Sequence, residues 1–141
     1  MITINDLSFS YNEKTVLKNI TMNLEEGRIY GLLGENGVGK TTLLTLLCGL
    51  KKVKTGSIDI DGYNPYDRNP SFLSEQFYLS DEVAGANMTA AVYARNYGKF
   101  WDKFDYDKFI EVMGVFENDI EMKMNEMSCG QLKKTYISFA L

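Results

Sequence analysis

Ile2 and Ile4, then Leu7, Phe9 and Tyr11, alternate with polar residues, the period of two expected of a strand with one buried face. The stretch "TVLKNITMNL" (15–24) spaces its apolar residues in the same way, and polar residues 12–14 predict the turn that joins the two as paired strands. "EEGRIYGLLG" (25–34) puts a turn at Gly27 ahead of a short, largely apolar run. That run predicts a strand buried on both faces and ended by Gly34. Over residues 41–50, Leu43, Leu47 and Leu50 share one helical face, which Leu44 and Leu46 widen, so a mostly buried helix is expected with Gly49 near its end. "TGSIDIDGYNP" (55–65) reads as a turn, a short alternating strand and a second turn marked by Asp61, Gly62 and Pro65.

The second half changes period. Tyr93 and Tyr97 are four apart, and Phe109, Val112, Met113 and Phe116 follow at i, i+3, i+4 and i+7, predicting helices over 87–97 and 105–116. Between them "YGKFWDKFD" is aromatic and irregular, and its rings together with the tyrosines are expected to be core for the most part. In "MSCGQLKKTYISFAL" (127–141), Ser128 is a plausible N-cap for a helix on which Leu132, Tyr136, Phe139 and Ala140 share a face. No closing glycine, proline or polar tail ends that apolar pattern, so the fold is expected to continue beyond Leu141.

A chain of 141 residues with 45 % apolar content suits one modest domain with a real core. Fifteen Lys and Arg against 19 Asp and Glu leave a formal charge of −4, which disfavours a nucleic-acid partner. No apolar run approaches the roughly 20 residues of a membrane span, and Met1 opens on "ITINDLSF" with no basic or apolar leader. Cys48 and Cys129 form neither a metal-spaced cluster nor a disulfide framework, which suits a reducing compartment. The absence of histidine removes Ser/His/Asp triads, Cys/His pairs and His-ligated zinc.

"GENGVGKT" (34–41) satisfies G-x-x-x-x-G-K-[ST] between an expected strand and an expected helix. A loop that curls its backbone N–H groups around an anion needs dihedrals and close approaches that a Cβ would block, hence Gly34, Gly37 and Gly39. Phosphates would sit at the positive end of the following helix, with Lys40 on the β- and γ-phosphates and the Thr41 hydroxyl on Mg²⁺. A nucleoside triphosphate fits these features, and the motif alone leaves kinases, GTPases and ATPases open. The bland reading, a glycine turn that merely caps a helix, requires a chance match on the order of one in a hundred or less for a chain of this length.

Further stretches resemble the nucleotide-binding domain of ABC transporters. "MSCGQ" (127–131) is similar to the family's signature motif, usually Leu-Ser-Gly-Gly-Gln, with Met127 and Cys129 departing from it. Residues 8–44 follow the family's opening, with Tyr11 at the position of the aromatic that stacks on adenine, and "TGSIDIDG" matches the strand and turn after its first helix. The resemblance implies an α/β, P-loop NTPase-like core with an antiparallel β subdomain and a helical subdomain, incomplete at the C-terminus. It divides the chain into a β subdomain and P-loop core (1–82), a helical subdomain (83–127) that would dock on a membrane subunit, and the signature helix (128–141).

It further implies ATP and Mg²⁺ as ligands, held by Tyr11, Gly34, Asn36, Gly37, Gly39, Lys40, Thr41 and Thr42. Ser128, Gly130 and Gln131 would act in trans on ATP held by a second nucleotide-binding domain in a head-to-tail dimer. Cys129 stands where the family has glycine, and a neutral thiol there implies a mildly adjusted site. The family's glutamine loop, a ligand to Mg²⁺, falls in "SFLSEQFYLS" (71–80), where Glu75 occupies the aligned place and Gln76 is the nearby glutamine. Either residue offers oxygen to the metal or its water.

Walker B, the catalytic glutamate and the switch histidine follow the signature helix in this family. No catalytic residue is therefore assigned within the chain, and the 141 residues are expected not to hydrolyse ATP efficiently alone. The expected function is the ATP-binding component of an ABC transporter, cytoplasmic and peripheral on the inner face of the membrane, with no upstream membrane segment and a separate transmembrane subunit. Two alternatives stand beside it: a truncated, inactive nucleotide-binding or interaction module, and a soluble, non-transport ABC-type ATPase.

Overall fold

A computed structural model describes residues 1–141, which form two compact units, Met1–Gln76 and Phe77–Leu141. In the first unit, β1 (Ile2–Tyr11), β2 (Lys14–Leu24) and β3 (Thr55–Ile60) make one antiparallel sheet in the order β2-β1-β3. The expected hairpin closes from Tyr11 to Lys14, with Asn12 at φ 51°, a conformation asparagine tolerates better than most residues. Apolar positions in β1 are even before Asn5 and odd after Asp6, and the structure supplies the reason. The register passes from Ile4↔Met22 to Leu7↔Ile20, so β1 carries one extra residue, with Asp6 at φ 45°. A second bulge in β2, with Asn19 at φ 48°, restores the count at Phe9↔Leu17. Ile4, Leu7 and Phe9 are thereby all buried despite the change of parity. Gly56 lies against this bulge, where a Cβ would come within 2.4 Å of the Asn5 carbonyl oxygen.

Helix α1 (Lys40–Leu47) supplies Leu43 and Leu46 to a core with Ile4, Leu7, Phe9, Leu17 and Ile58. The helix stops three residues short of the expectation, at a Cys48 cap followed by Gly49 in the left-handed region. A short helix, α2 (Pro70–Leu73), follows, capped by the Asn69 side chain.

The buried strand expected over residues 28–33 does not form. That segment is irregular, and Ile29 and Leu33 are exposed. A strand buried on both faces requires neighbouring strands to take its N–H and C=O groups, and none of the three strands in the chain pairs with it.

The second unit is helical: α3 (Ala90–Tyr97), α4 (Tyr106–Val115) and α5 (Cys129–Ala140), each with a side-chain cap from Thr89, Asp105 and Ser128 respectively. Its core gathers Ala90, Ala94, Phe109, Met113, Met124, Leu132 and Phe139. Phe139 is the hub of the aromatic residues, with ring centroids of Phe104, Tyr93, Trp101 and Phe77 at 4.8, 5.2, 5.4 and 5.8 Å. Trp101 and Tyr93 therefore serve packing, whereas Phe100 stays exposed. No helix is long and apolar enough to cross a membrane.

Candidate functional site

Residues 34–38 form an exposed loop that runs through a buried Gly39 straight into α1. Gly39 caps the helix at φ 111°, ψ 5°, and a Cβ there would lie 2.8 Å from Leu17 Cδ2 and 2.9 Å from Val16 Cγ1. Only glycine meets both demands. Lys40 turns back over the loop, its Nζ donating to the carbonyl oxygens of Gly34 at 2.7 Å and Glu35 at 2.8 Å. The Val38 N–H bonds to Glu35 O at 3.3 Å inside the same ring.

The first N–H to bond back along the helix is that of Leu43, to Gly39 O at 2.9 Å. Those of residues 40–42 are the unpaired donors of a helix start, at its positive end. The loop thus combines an ammonium, converging N–H donors and an exposed Thr41 side chain, a set suited to a polyphosphate. No group of three or more His, Cys, Asp or Glu is placed to hold a metal ion. A Mg²⁺ ion at Thr41 would take most of its oxygens from phosphate and water, which is how this ion usually binds.

Tyr11 is brought to the same helix. Its hydroxyl lies 3.5 Å from Oγ1 of the buried Thr42, its ring stands edge-on to Phe9 at 5.0 Å, and much of it is exposed. The Thr42 hydroxyl, assisted by Lys51, draws the phenol below its ordinary pKa against the effect of burial. Lys51 Nζ lies 5.0 Å from the centre of the Tyr11 ring. Sequence reasoning missed this lysine, because a pair forty residues apart across a fold leaves no periodic trace.

The glutamine-loop candidate Gln76 bonds at the far end of α1. Gln76 donates its side-chain amide to the Cys48 carbonyl oxygen at 3.3 Å, at the C-terminal end of α1. At 1.5 Å per residue that is about 10 Å along the helix from Thr41. The structure therefore does not bring the Gln76 amide to Thr41. Glu75 is exposed on the turn that follows α2. Burial raises the Cys48 thiol pKa.

In the second unit the signature residues begin α5 as a capping box. Ser128 Oγ accepts from Gln131 N–H at 3.3 Å, and Gln131 Oε1 accepts from Ser128 N–H at 2.9 Å. Ser128, Cys129 and Gly130 are exposed, and nothing lies within 4 Å of a Cβ built on Gly130. Gln131 is thus committed to the turn itself, leaving Ser128, Cys129 and Gly130 to face outward.

The pattern of the ABC transporter family matches residues 17–141. The energy-coupling factor transporter ATP-binding protein EcfA1 of Thermotoga maritima is 49 % identical over 131 residues, covering 89 % of this chain and 44 % of that protein. A solved structure described as an ABC transporter ATP-binding protein from Pyrococcus furiosus superposes with a TM-score of 0.82 at 26 % identity, over 97 % of this chain and 68 % of that one. A dimeric ATP-binding cassette bound to ADP and Pi gives 0.76 at 21 % identity over 100 % and 69 %, a likeness of fold alone. Matches to curated relatives span 14 % to 67 % of their lengths. With a family match over most of its length and an α/β P-loop fold to go with it, the chain belongs to the ABC transporter family, as part of a nucleotide-binding domain.

Proposed function

We infer that the chain binds Mg·ATP on its phosphate loop and acts as the ATP-binding component of an ABC transporter, coupling ATP binding and hydrolysis to transport through a separate membrane subunit. The observation that carries this reading is the position of Lys40, whose ammonium closes the loop at the N-terminus of α1. A triphosphate entering the loop replaces two neutral carbonyl acceptors with charged oxygens, which make stronger partners for an ammonium. Tyr11, linked to Thr42, offers an aromatic face to the base. Thr41 supplies a hydroxyl to Mg²⁺.

Ser128 and Gly130, exposed at the start of α5, would cap the γ-phosphate of ATP held by a second copy in a head-to-tail dimer, with Gln131 shaping the turn. A solved ATP-binding cassette of the same fold is described as dimeric and bound to ADP and Pi. In its role as a transporter component the chain would attach peripherally to the inner face of the membrane.

Calorimetric titration with Mg·ATP of the chain and of Lys40→Ala tests the reading. Micromolar binding in the first and none in the second supports it, and equal binding by both overturns it.

A further inference from the structure

A buried polar network lies beneath the signature turn. Asn118, 8 % exposed, follows directly on the end of α4, where Glu117 turns the chain at φ 56° and the Asn118 N–H bonds to Met113 O at 3.0 Å. Its side-chain amide donates to Gln131 O at 2.8 Å and to Thr135 Oγ1 at 3.2 Å. Thr135 is fully buried, and its hydroxyl lies 3.0 Å from Gln131 O and 3.3 Å from Met127 Sδ. Lone pairs decide where the hydroxyl hydrogen goes. The Gln131 carbonyl has two, taken by the helical bond from the Thr135 N–H and by the Asn118 amide. The Thr135 hydroxyl lies within bonding distance of both acceptors, and the Met127 thioether is the one that has no other donor among these groups.

Met127 and Gln131 flank Ser128 on either side, so Thr135 reaches both ends of the exposed turn, and Asn118 holds Gln131 directly and Thr135 beside it. We propose that Asn118 and Thr135 are positioning residues of the signature turn, which fix Met127 and Gln131 so that Ser128 is presented at a set angle to a phosphate held by a second copy. This rests on the reading of that turn given above. Packing alone would be served by apolar side chains, since a buried amide and hydroxyl are costly unless fully bonded. The network also accounts for methionine where the family usually has leucine, because leucine has no acceptor to offer Thr135.

Thr135→Val keeps the shape and removes the hydroxyl, while Thr135→Ser keeps the hydroxyl. Three readouts are compared on the whole chain: amide hydrogen exchange at residues 131 and 132, Mg·ATP-driven self-association by sedimentation, and Mg·ATP affinity by calorimetry. The valine variant is expected to exchange about tenfold faster at the turn and to associate about tenfold more weakly, the loss of roughly one buried bond, with ATP affinity unchanged. The serine variant is expected to match the parent in all three.

Association that is unchanged, or that falls only in step with ATP affinity, overturns the proposal, because a general loss of stability would not separate the two. Should the valine variant fail to fold, Met127→Leu, which deletes only the acceptor, carries the test. Association about threefold weaker at constant ATP affinity supports the proposal, and unchanged association overturns it. If the parent chain shows no Mg·ATP-driven association, the reading of the signature turn fails. The exchange rates of the valine and leucine variants then decide the clamp alone, and rates equal to the parent's overturn it.

Discussion

Replacing Gly39 by alanine isolates the geometry that joins the phosphate loop to its helix. A positive φ costs an L-residue about 1–2 kcal/mol, and Gly39 sits at 111°. The added Cβ would also meet Leu17 Cδ2 at 2.8 Å, Val16 Cγ1 at 2.9 Å and the Val16 carbonyl oxygen at 3.2 Å. Leu17 is in the core and Val16 is stiff at χ1, so neither yields freely, and overpacking of this kind adds about 1–3 kcal/mol. Gly37→Ala is the internal control. Gly37 has φ 83° but nothing within 4 Å of its Cβ position, so it bears only the backbone cost. The difference between the two variants is the steric part, about 2 kcal/mol. Urea unfolding followed by far-UV circular dichroism reads it directly. With a slope of about 1–2 kcal/mol/M, Gly39→Ala should unfold about 1–2 M below Gly37→Ala. Coincident midpoints, or the reverse order, would refute the argument that close approach to β2 dictates this glycine.

Lys40→Met removes both bonds to the loop carbonyls at a site open to water, so its unfolding midpoint should move by no more than about 1 kcal/mol while Mg·ATP binding is lost. Phe139→Ala, at the hub of four rings, should cost about 3–5 kcal/mol in urea unfolding and release Trp101 fluorescence toward that of an exposed indole. Burial, with Tyr136 and Tyr97 adding to it, pushes the Tyr93 phenol up to about 12 from an ordinary 10. The folded state thus favours the neutral phenol, so its stabilisation is complete below pH 10 and is lost as pH rises toward 12. Tyr93→Phe should flatten the fall in urea midpoint over that interval, and an undiminished fall would count against the assignment.

The phosphate loop and the cap of α5 were legible because each is a local device. Its glycines, lysine or serine act within six residues of where they stand, and spacing records them. The parity change between Ile4 and Leu7 was equally visible, although only the register with β2 and β3 reveals it as a bulge. Residues 28–33 failed for the opposite reason. An apolar run announces that it can be buried, but a strand needs partners, and the first unit provides none at that edge. The aromatic residues between α3 and α4 gave their burial by composition, whereas their convergence on Phe139 depends on three helices meeting. Asn118 and Thr135 were invisible as a pair, because their link runs through a helix end and a helix interior seventeen residues apart. Gln76 shows the limit most plainly: its amide goes to Cys48, a partner that no motif specifies.

The central claim is that residues 34–42 hold the triphosphate of ATP, and amide hydrogen exchange with and without Mg·ATP tests it most directly. Protection concentrated on residues 34–42, present in the parent chain and absent in Lys40→Ala, is the predicted result. Protection that falls elsewhere, or that survives the loss of Lys40, would contradict the account.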